Sequence, residues 1–189
     1  MVLKMEAKIP KERVGALIGK GGKIKETIEK ECGVSIKIDS DTGEVMVTAN
    51  DEKNVVGLTR VIEVVQAIGR GFSHDRAQIL LDDQYLLDII DLTEYAGKSE
   101  SNLVRIKGRI IGVEGKARKI IEELTDTHIS IYGHTVSIIG LADDIKAAHE
   151  AIEILAQGSQ HKTVYDRLQK RRTRLKMERL QLWERREES

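Results

Sequence analysis

The sequence predicts an α+β chain made of two copies of one unit. Each is a three-stranded, mostly antiparallel sheet with helices on one face, and a C-terminal helix follows the pair. Three observations predict this. A glycine turn between apolar stretches, "LIGKGGKI" at residues 17–24, returns in altered form as "IIGVEGKA" at residues 110–117. The copies align without a gap at an offset of 93 residues, placing Lys23 on Lys116, Ile28 on Ile121, Glu29 on Glu122, Ile36 on Ile129 and Ile38 on Ile131. Around each turn the apolar period switches between two residues and about four, as it does where strands and helices alternate.

In the first copy "VLKMEAKIP" alternates and reads as a strand, stopped by Pro10. "KERVGALI" is a short helix with Val14, Leu17 and Ile18 on one face. A second helix covers 22–31, with Ile24 and Ile28 four apart, and Gly33 ends it. "VSIKID" and "EVMVTA" are strands joined by the turn "DSDTG". Asp51 reads as the N-cap of a helix running to about Ile68. The second copy repeats the order: "YLLDIIDL" as strand, "SESNLVRIKGRII" as a Ser-capped helix, a helix over 115–125, "HISIYGHTVSII" as a hairpin turned at Gly133, and "ADDIKAAHEAIEILAQG" as closing helix. Alternating strands predict sheets buried on one side only. Between the copies, "GRGFSHDRAQILLDD" holds a short helix from Ser73 that is expected to pack the units together. The expected boundaries are 1–72, 73–160 and 161–189.

The chain has 189 residues, 40% hydrophobic and 33% charged, with a formal net charge of zero. The charge is patchy. Residues 1–30 carry eight Lys/Arg against four Glu, residues 103–119 six against one, and residues 161–189 ten against five, while 73–101 hold seven acids against two bases. Local basic patches suit a selective binder of polyanions. Cys32 is the only cysteine, which excludes an internal disulfide and a cysteine-based metal site. The N-terminal "MVLKMEAKIP" has no continuous apolar run, so no signal peptide is expected, and "YLLDIIDL" is too short and interrupted to span a membrane. The expected location is the cytoplasm.

The turn itself carries chemistry. A helix ends, the chain reverses within four residues, and a new helix begins. Glycine supplies the backbone angles and permits close approach. The new helix offers unpaired N–H groups and the positive end of its dipole, a seat for phosphate. Gly19, Lys20, Gly21 and Gly22, with Lys23 and Lys25, form the first such seat; Gly112, Val113, Glu114 and Gly115, with Arg109, Lys116, Arg118 and Lys119, form the second. A nucleotide-binding P-loop needs a different spacing and a preceding strand, and a dinucleotide fingerprint is absent. Helix–GxxG–helix, which clamps the backbone of a short single strand, fits spacing and context.

With those residues in place, "IPKERVGALIGKGG", followed by "GVSIKID" and "EVMVTA", resembles a KH domain of the type I arrangement. That resemblance implies a groove for about four nucleotides of single-stranded RNA or DNA, with phosphates along GxxG. It implies an apolar floor that includes Ile36, and base edges meeting the strand where Lys37 and, in the second copy, Ser130 point outward. Aromatic residues are only 3% of the chain, which argues against aromatic stacking platforms as the main means of recognition. "DRAQILLDDQYLLDIIDL", "GRIIGVEGKARKIIEELTDTHISIYGHTVSIIG" and "AIEILAQGSQHKTVY" extend the likeness over about residues 3–165. There the chain is similar to the partner-of-Nob (Pno/Dim) family of two-KH ribosome-assembly proteins, and its intact first GxxG and short length resemble the archaeal branch. The resemblance implies binding near the 3′ end of small-subunit (pre-)rRNA, whose maturation a separate Nob-type endonuclease performs. It also implies other ribosome-assembly or translation factors as partners, with no cofactor and no membrane.

Two departures stand out. Glu114 sits where a phosphate would pass, to be outweighed by Arg105, Lys107, Arg109, Lys116 and Arg118. Lys25 and Arg118 occupy positions that are apolar in many KH grooves, which means a more polar groove or side chains aimed at solvent. A second copy that docks protein rather than RNA stays open, as do a protein scaffold and a general RNA-turnover role. In the tail, Leu168, Leu175 and Leu182 recur every seven residues with Met177, Leu180 and Trp183 nearby, and Lys170 to Arg174 form a basic cluster. This reads as an amphipathic helix folded onto the second unit by its first half, its later part open to binding RNA or a partner, with disorder after Trp183. The adjacent Ser73, His74 and Asp75 cannot form a relay. His128 and His134 flank one hairpin and are expected on the surface rather than on a metal. No nucleophile–base pair or ligand cluster recurs at workable spacing, so no enzymatic activity is expected.

Overall fold

The computed structural model describes residues 3–49, 51 and 54–187, with side chains up to residue 181. The first unit runs β1 (Lys4–Lys8), α1 (Lys11–Ile18), α2 (Lys23–Cys32), β2 (Val34–Ile38), β3 (Glu44–Ala49) and α3 (Val55–Gly69). The second runs β4 (Tyr85–Asp91), a short α5 (Thr93–Ala96), α6 (Glu100–Ile111), α7 (Lys116–Thr125), β5 (His128–Tyr132), β6 (Thr135–Leu141) and α8 (Ala142–Ala156). Between them lies α4 (His74–Ala77), continued by a 3₁₀ turn at Gln78–Leu81, and α9 (His161–Glu187) closes the chain. The sheets have the orders β1-β3-β2 and β4-β6-β5, and every pairing is antiparallel.

The alternating residues behave as the period predicts. Val34, Ile36, Val45 and Val47 are buried under the helices with Leu17 and Ile28, while Ser35 and Lys37 are exposed. Gly33 ends α2 in the left-handed region at φ 62°. The cap of α3 lies further on than expected. Asn54, not Asp51, accepts from the Gly57 amide, because its side chain also donates to the Cys32 carbonyl at 2.6 Å and so locks the helix start to the end of α2. Ser99 caps α6 as expected.

The aligned glutamates share one role. Glu29 accepts the Ile36 amide at 2.7 Å, and Glu122 accepts the Ile129 amide at the same distance. Each carboxylate ties a helix to the outer edge of its sheet. Glu122 is only 12% exposed and also pairs with Arg76 and Arg118. Replacing Glu122 with Ala strands a partly buried amide and a guanidinium, so urea unfolding should show a loss of about 2 kcal/mol. A loss below 0.5 kcal/mol, on the order of an exposed substitution, would sink this account.

The expectation of two one-sided sheets holds for the first unit and fails for the second. Thr135 to Gly140 in β6 are all buried. Val136 and Ile138 face the second unit's own helices, whereas Ile139 joins the first unit's core with Ala77 and Leu80. The first unit packs on the open face of the second sheet, so both faces of its central strand β6 are dry. Polar contacts pin this seam. Ser130 Oγ donates to the Arg70 carbonyl at 2.9 Å, Arg70 reaches Thr135, Tyr132 bonds Glu12, and Arg76 pairs with Glu122 at 3.3 Å. Arg13 braces the same corner through the Ile68 and Phe72 carbonyls at 2.8 and 2.7 Å. The Tyr132 hydroxyl holds the Glu12 carboxyl below the usual carboxylate range. His128, at the same seam, has its pKa pushed down by burial and by neighbouring Arg76.

In α9, Val164 and Leu168 are buried against the second unit, as the heptad leucines suggest, while Met177 and Leu180 are exposed. The backbone stays helical to Glu187 where disorder was expected after Trp183: residues 161–187 hold no glycine or proline to break it. The side chains from Leu182 onward, Trp183 among them, lie outside the described residues.

Candidate nucleic-acid interface

Both glycine turns adopt one geometry. α1 ends at Gly19 (φ 73°, ψ 175°), whose amide donates to the Gly15 carbonyl, and Gly21 (φ 65°) and Gly22 (φ 79°) lead into α2. Gly112 (φ 72°, ψ 176°), Glu114 (φ 52°) and Gly115 (φ 75°) trace the same path into α7. A Cβ on Gly19 would lie 2.5 Å from Ile24, and one on Gly112 would lie 2.6 Å from Ala117, so the first glycine of each turn seats the following helix. At Gly21 and Gly115 nothing lies within 4 Å, and the outer rim of each turn is open to a ligand. Glu114 holds left-handed backbone without glycine's freedom, a strain of about 1 kcal/mol.

The residues that the sequence put forward divide by position. Lys20 and Lys23 are exposed and, like Arg105, Lys116 and Lys119 at the second turn, make no ion pair or side-chain hydrogen bond among the described residues. Val113 is 83% exposed at that tip. Lys25 and Arg118 lie against Glu29 and Glu122 at 3.9 and 3.8 Å, and Arg118 also reaches toward the Ile129 carbonyl at 3.5 Å. Both side chains are thus held by a carboxylate of their own helix.

Other placements correct the sequence reading. Ile36 is 1% exposed, beneath the surface; Ile38, two residues along the same face, is half-buried instead. Lys37 stands on the helix-free face of the first sheet, opposite the glycine turn, beside Met46 and Glu6 in a cleft of about 530 Å³. Ser130 points into the seam rather than outward. Arg109 is spent on structure: its guanidinium donates to the Leu155 carbonyl at 3.2 Å and to the Ser159 carbonyl, fastening the joint between α8 and α9. Lys107 donates to the Gly133 carbonyl at 3.0 Å. So of the five cations set against Glu114, only Arg105 and Lys116 have no partner among the described residues. His128 and His134 do not face each other, since His128 pairs with Ile139 while His134 lies at the other end of the hairpin, 4.0 Å from Asp91. Among the described residues there is no group of three or more potential metal ligands, and no helix is long and apolar enough to cross a membrane.

Residues 4–63 match a family model described as KH domain, and residues 86–173 match one described as eukaryotic type KH-domain, type I. The chain is 43% identical over 176 residues to a KH domain-containing protein of Methanocaldococcus jannaschii, covering 93% of this chain and 77% of that one. It is 30% identical over 162 residues to the RNA-binding protein pno1 of Dictyostelium discoideum, covering 85% and 68%. This chain belongs to the Pno1/Dim2 family of two-KH-domain proteins. Its fold also matches Dim2p in the crystal structure of the a/eIF2alpha–aDim2p–rRNA complex from Pyrococcus horikoshii, with a TM-score of 0.85, 44% identity, and 91% of this chain and 95% of that chain covered. A Candida albicans member, 29% identical over 182 residues and matched over 66% of its length, bears the name pre-rRNA-processing protein.

Membership accounts for the repeat. Two KH units of one family each keep the left-handed turn, and within it Lys20-Gly21 of the first stands against Val113-Glu114 of the second.

Proposed function

We propose that this protein binds single-stranded RNA of the small ribosomal subunit during ribosome assembly, as a binding factor without a reaction of its own. The first turn is the principal phosphate seat and the second an additional contact. The observation that carries this reading is the open rim at Gly19–Gly22, where amides at a helix start stand beside the unpaired Lys20 and Lys23. The rRNA complex of the Pyrococcus relative and the pre-rRNA-processing name of the fungal one supply the RNA class, and the former supplies a translation initiation factor subunit as a candidate protein partner.

Crosslinking the protein in cell extract and sequencing the bound RNA should recover the 3′ region of small-subunit rRNA; enrichment of unrelated transcripts alone would reject the ribosomal assignment. A pulldown before and after nuclease treatment separates RNA-bridged partners from direct ones, and partners that all survive RNA removal would favour a protein scaffold. A Glu114→Lys variant removes the carboxylate from the second rim and should tighten RNA binding by roughly threefold to tenfold, as expected for one added phosphate contact. Unchanged affinity would show that RNA does not pass this turn.

A further inference from the structure

Beside the second glycine turn lies a cleft of about 480 Å³. Its walls include Arg105, Val113, Lys116, Ile120, His161 and Tyr165. No carboxylate lines it, and Glu114 is not among its walls. The last two residues come from the start of α9. That helix is held in place by a reciprocal clamp: Arg109 donates to the Ser159 carbonyl, and His161 Nε2 meets the Arg109 carbonyl at 2.7 Å. A carbonyl only accepts, so Nε2 carries the proton. Val164 and Leu168 are buried below, and the Tyr165 ring stands tilted against His161 at 6.0 Å between centroids.

The alignment of the two copies shows what is peculiar to this place. At the 93-residue offset, Glu12 stands where Arg105 stands, Ala16 where Arg109, Lys20 where Val113, and Thr27 where Ile120. The first unit keeps its cation on the turn and an acid behind it, and that acid is tied up with Tyr132 in the seam. The second unit has no cation at the turn tip and has one, unpaired, on the helix behind it. The tip becomes an exposed valine, and an aromatic wall is added. Positive charge has moved off the turn toward α9.

We propose that this cleft is a nucleotide subsite, an extension of the second KH groove that seats one further base of the bound RNA. The base lies against Tyr165 and Val113, and its phosphate lies between Arg105 and Lys116. The proposal rests on the RNA-binding reading above and adds to it a place, a stacking partner and a role for the start of α9. The volume suits one nucleotide, the charge complements its phosphate, and a tyrosine ring is a sequence-tolerant platform for a base.

The test uses the full chain and fluorescein-labelled oligonucleotides from the 3′ end of small-subunit rRNA, with 5-iodouridine placed at successive positions. Irradiation should crosslink one position to Tyr165. Tyr165→Leu keeps the apolar packing and removes the ring, while Arg105→Gln alters only an exposed, unpaired side chain; each should weaken binding by roughly tenfold, and trimming the crosslinked nucleotide should abolish the difference between wild type and variant. Wild-type affinity in both variants, with crosslinks only outside residues 161–165, would overturn the subsite and leave RNA binding by the turns standing. A wild-type chain that binds none of these oligonucleotides would overturn the subsite together with the function on which it rests.

Discussion

Replacing both Lys20 and Gly21 with aspartate lowers affinity for single-stranded small-subunit rRNA by roughly 30- to 150-fold while leaving the fold intact. The magnitude follows from what the pair does. On the proposed reading, Lys20 would give a phosphate at the turn a charge-assisted contact of about 2–3 kcal/mol. The new carboxylates stand at the mouth of a helix N-terminus, where the dipole favours the phosphate they displace. The fold survives because a Cβ at position 21 meets nothing within 4 Å, and aspartate tolerates the left-handed backbone held there at φ 65°. Fluorescence anisotropy against salt provides a second readout. If about four phosphates are engaged, the wild-type slope of log affinity on log salt should be roughly −3, from about −0.7 per phosphate on single strands. The double variant should have a shallower slope. Affinity unchanged within twofold would remove the first turn from the interface.

Gly112→Ala should cost about 3 kcal/mol of stability, the larger of two contrasting glycine effects within one helix–turn segment. At φ 72° and ψ 176° the backbone occupies a region open almost only to glycine. The added Cβ would lie 2.6 Å from the Ala117 Cβ and 2.7 Å from the Ala117 amide nitrogen, so α7 would have to move. That helix carries Ala117 and Ile121 into the core, and the shift would open the packing beneath it. Gly108→Ala is the control. Its Cβ meets nothing within 4 Å and it sits inside α6, where alanine is the better helix former by about 1 kcal/mol. Urea midpoints should therefore move in opposite directions for two Gly→Ala changes four residues apart. Equal midpoints would mean that Gly112 does not seat α7.

Much of the fold is written in local pattern. The 93-residue repeat, the two-residue alternation of Val34, Ile36 and Ile38, and the glycine that ends α2 all depend on neighbours within a few positions along the chain. The left-handed turns are legible for the same reason in their glycines, and Lys20 and Lys23 stand exposed beside the first of them. The candidate site is misread at Lys37, Arg109 and Ser130. A period of two shows that Lys37 and Ile36 face opposite ways but not which side carries the glycine turn. Arg109 resembles its basic neighbours in sequence, yet its partners are carbonyls 46 and 50 residues away. The adjacent Ile138 and Ile139 of β6, which break the two-residue alternation, were the available hint that this strand is covered on both faces.

The amino-acid order by itself determined that there are two like units, that each bends through a left-handed turn between helices, and that positive charge gathers at those turns. Such features arise from backbone sterics and short-range periodicity, which act wherever the segment goes. The tertiary structure decided that the first unit lies on the second sheet, that several arginines and lysines are consumed in holding carbonyls and carboxylates, and that α9 comes to rest beside the second turn. Those outcomes come from burial of apolar surface between distant segments, such as Ile139 of β6 against Ala77 and Leu80, and burial is a property of pairs of surfaces that no single stretch of sequence carries.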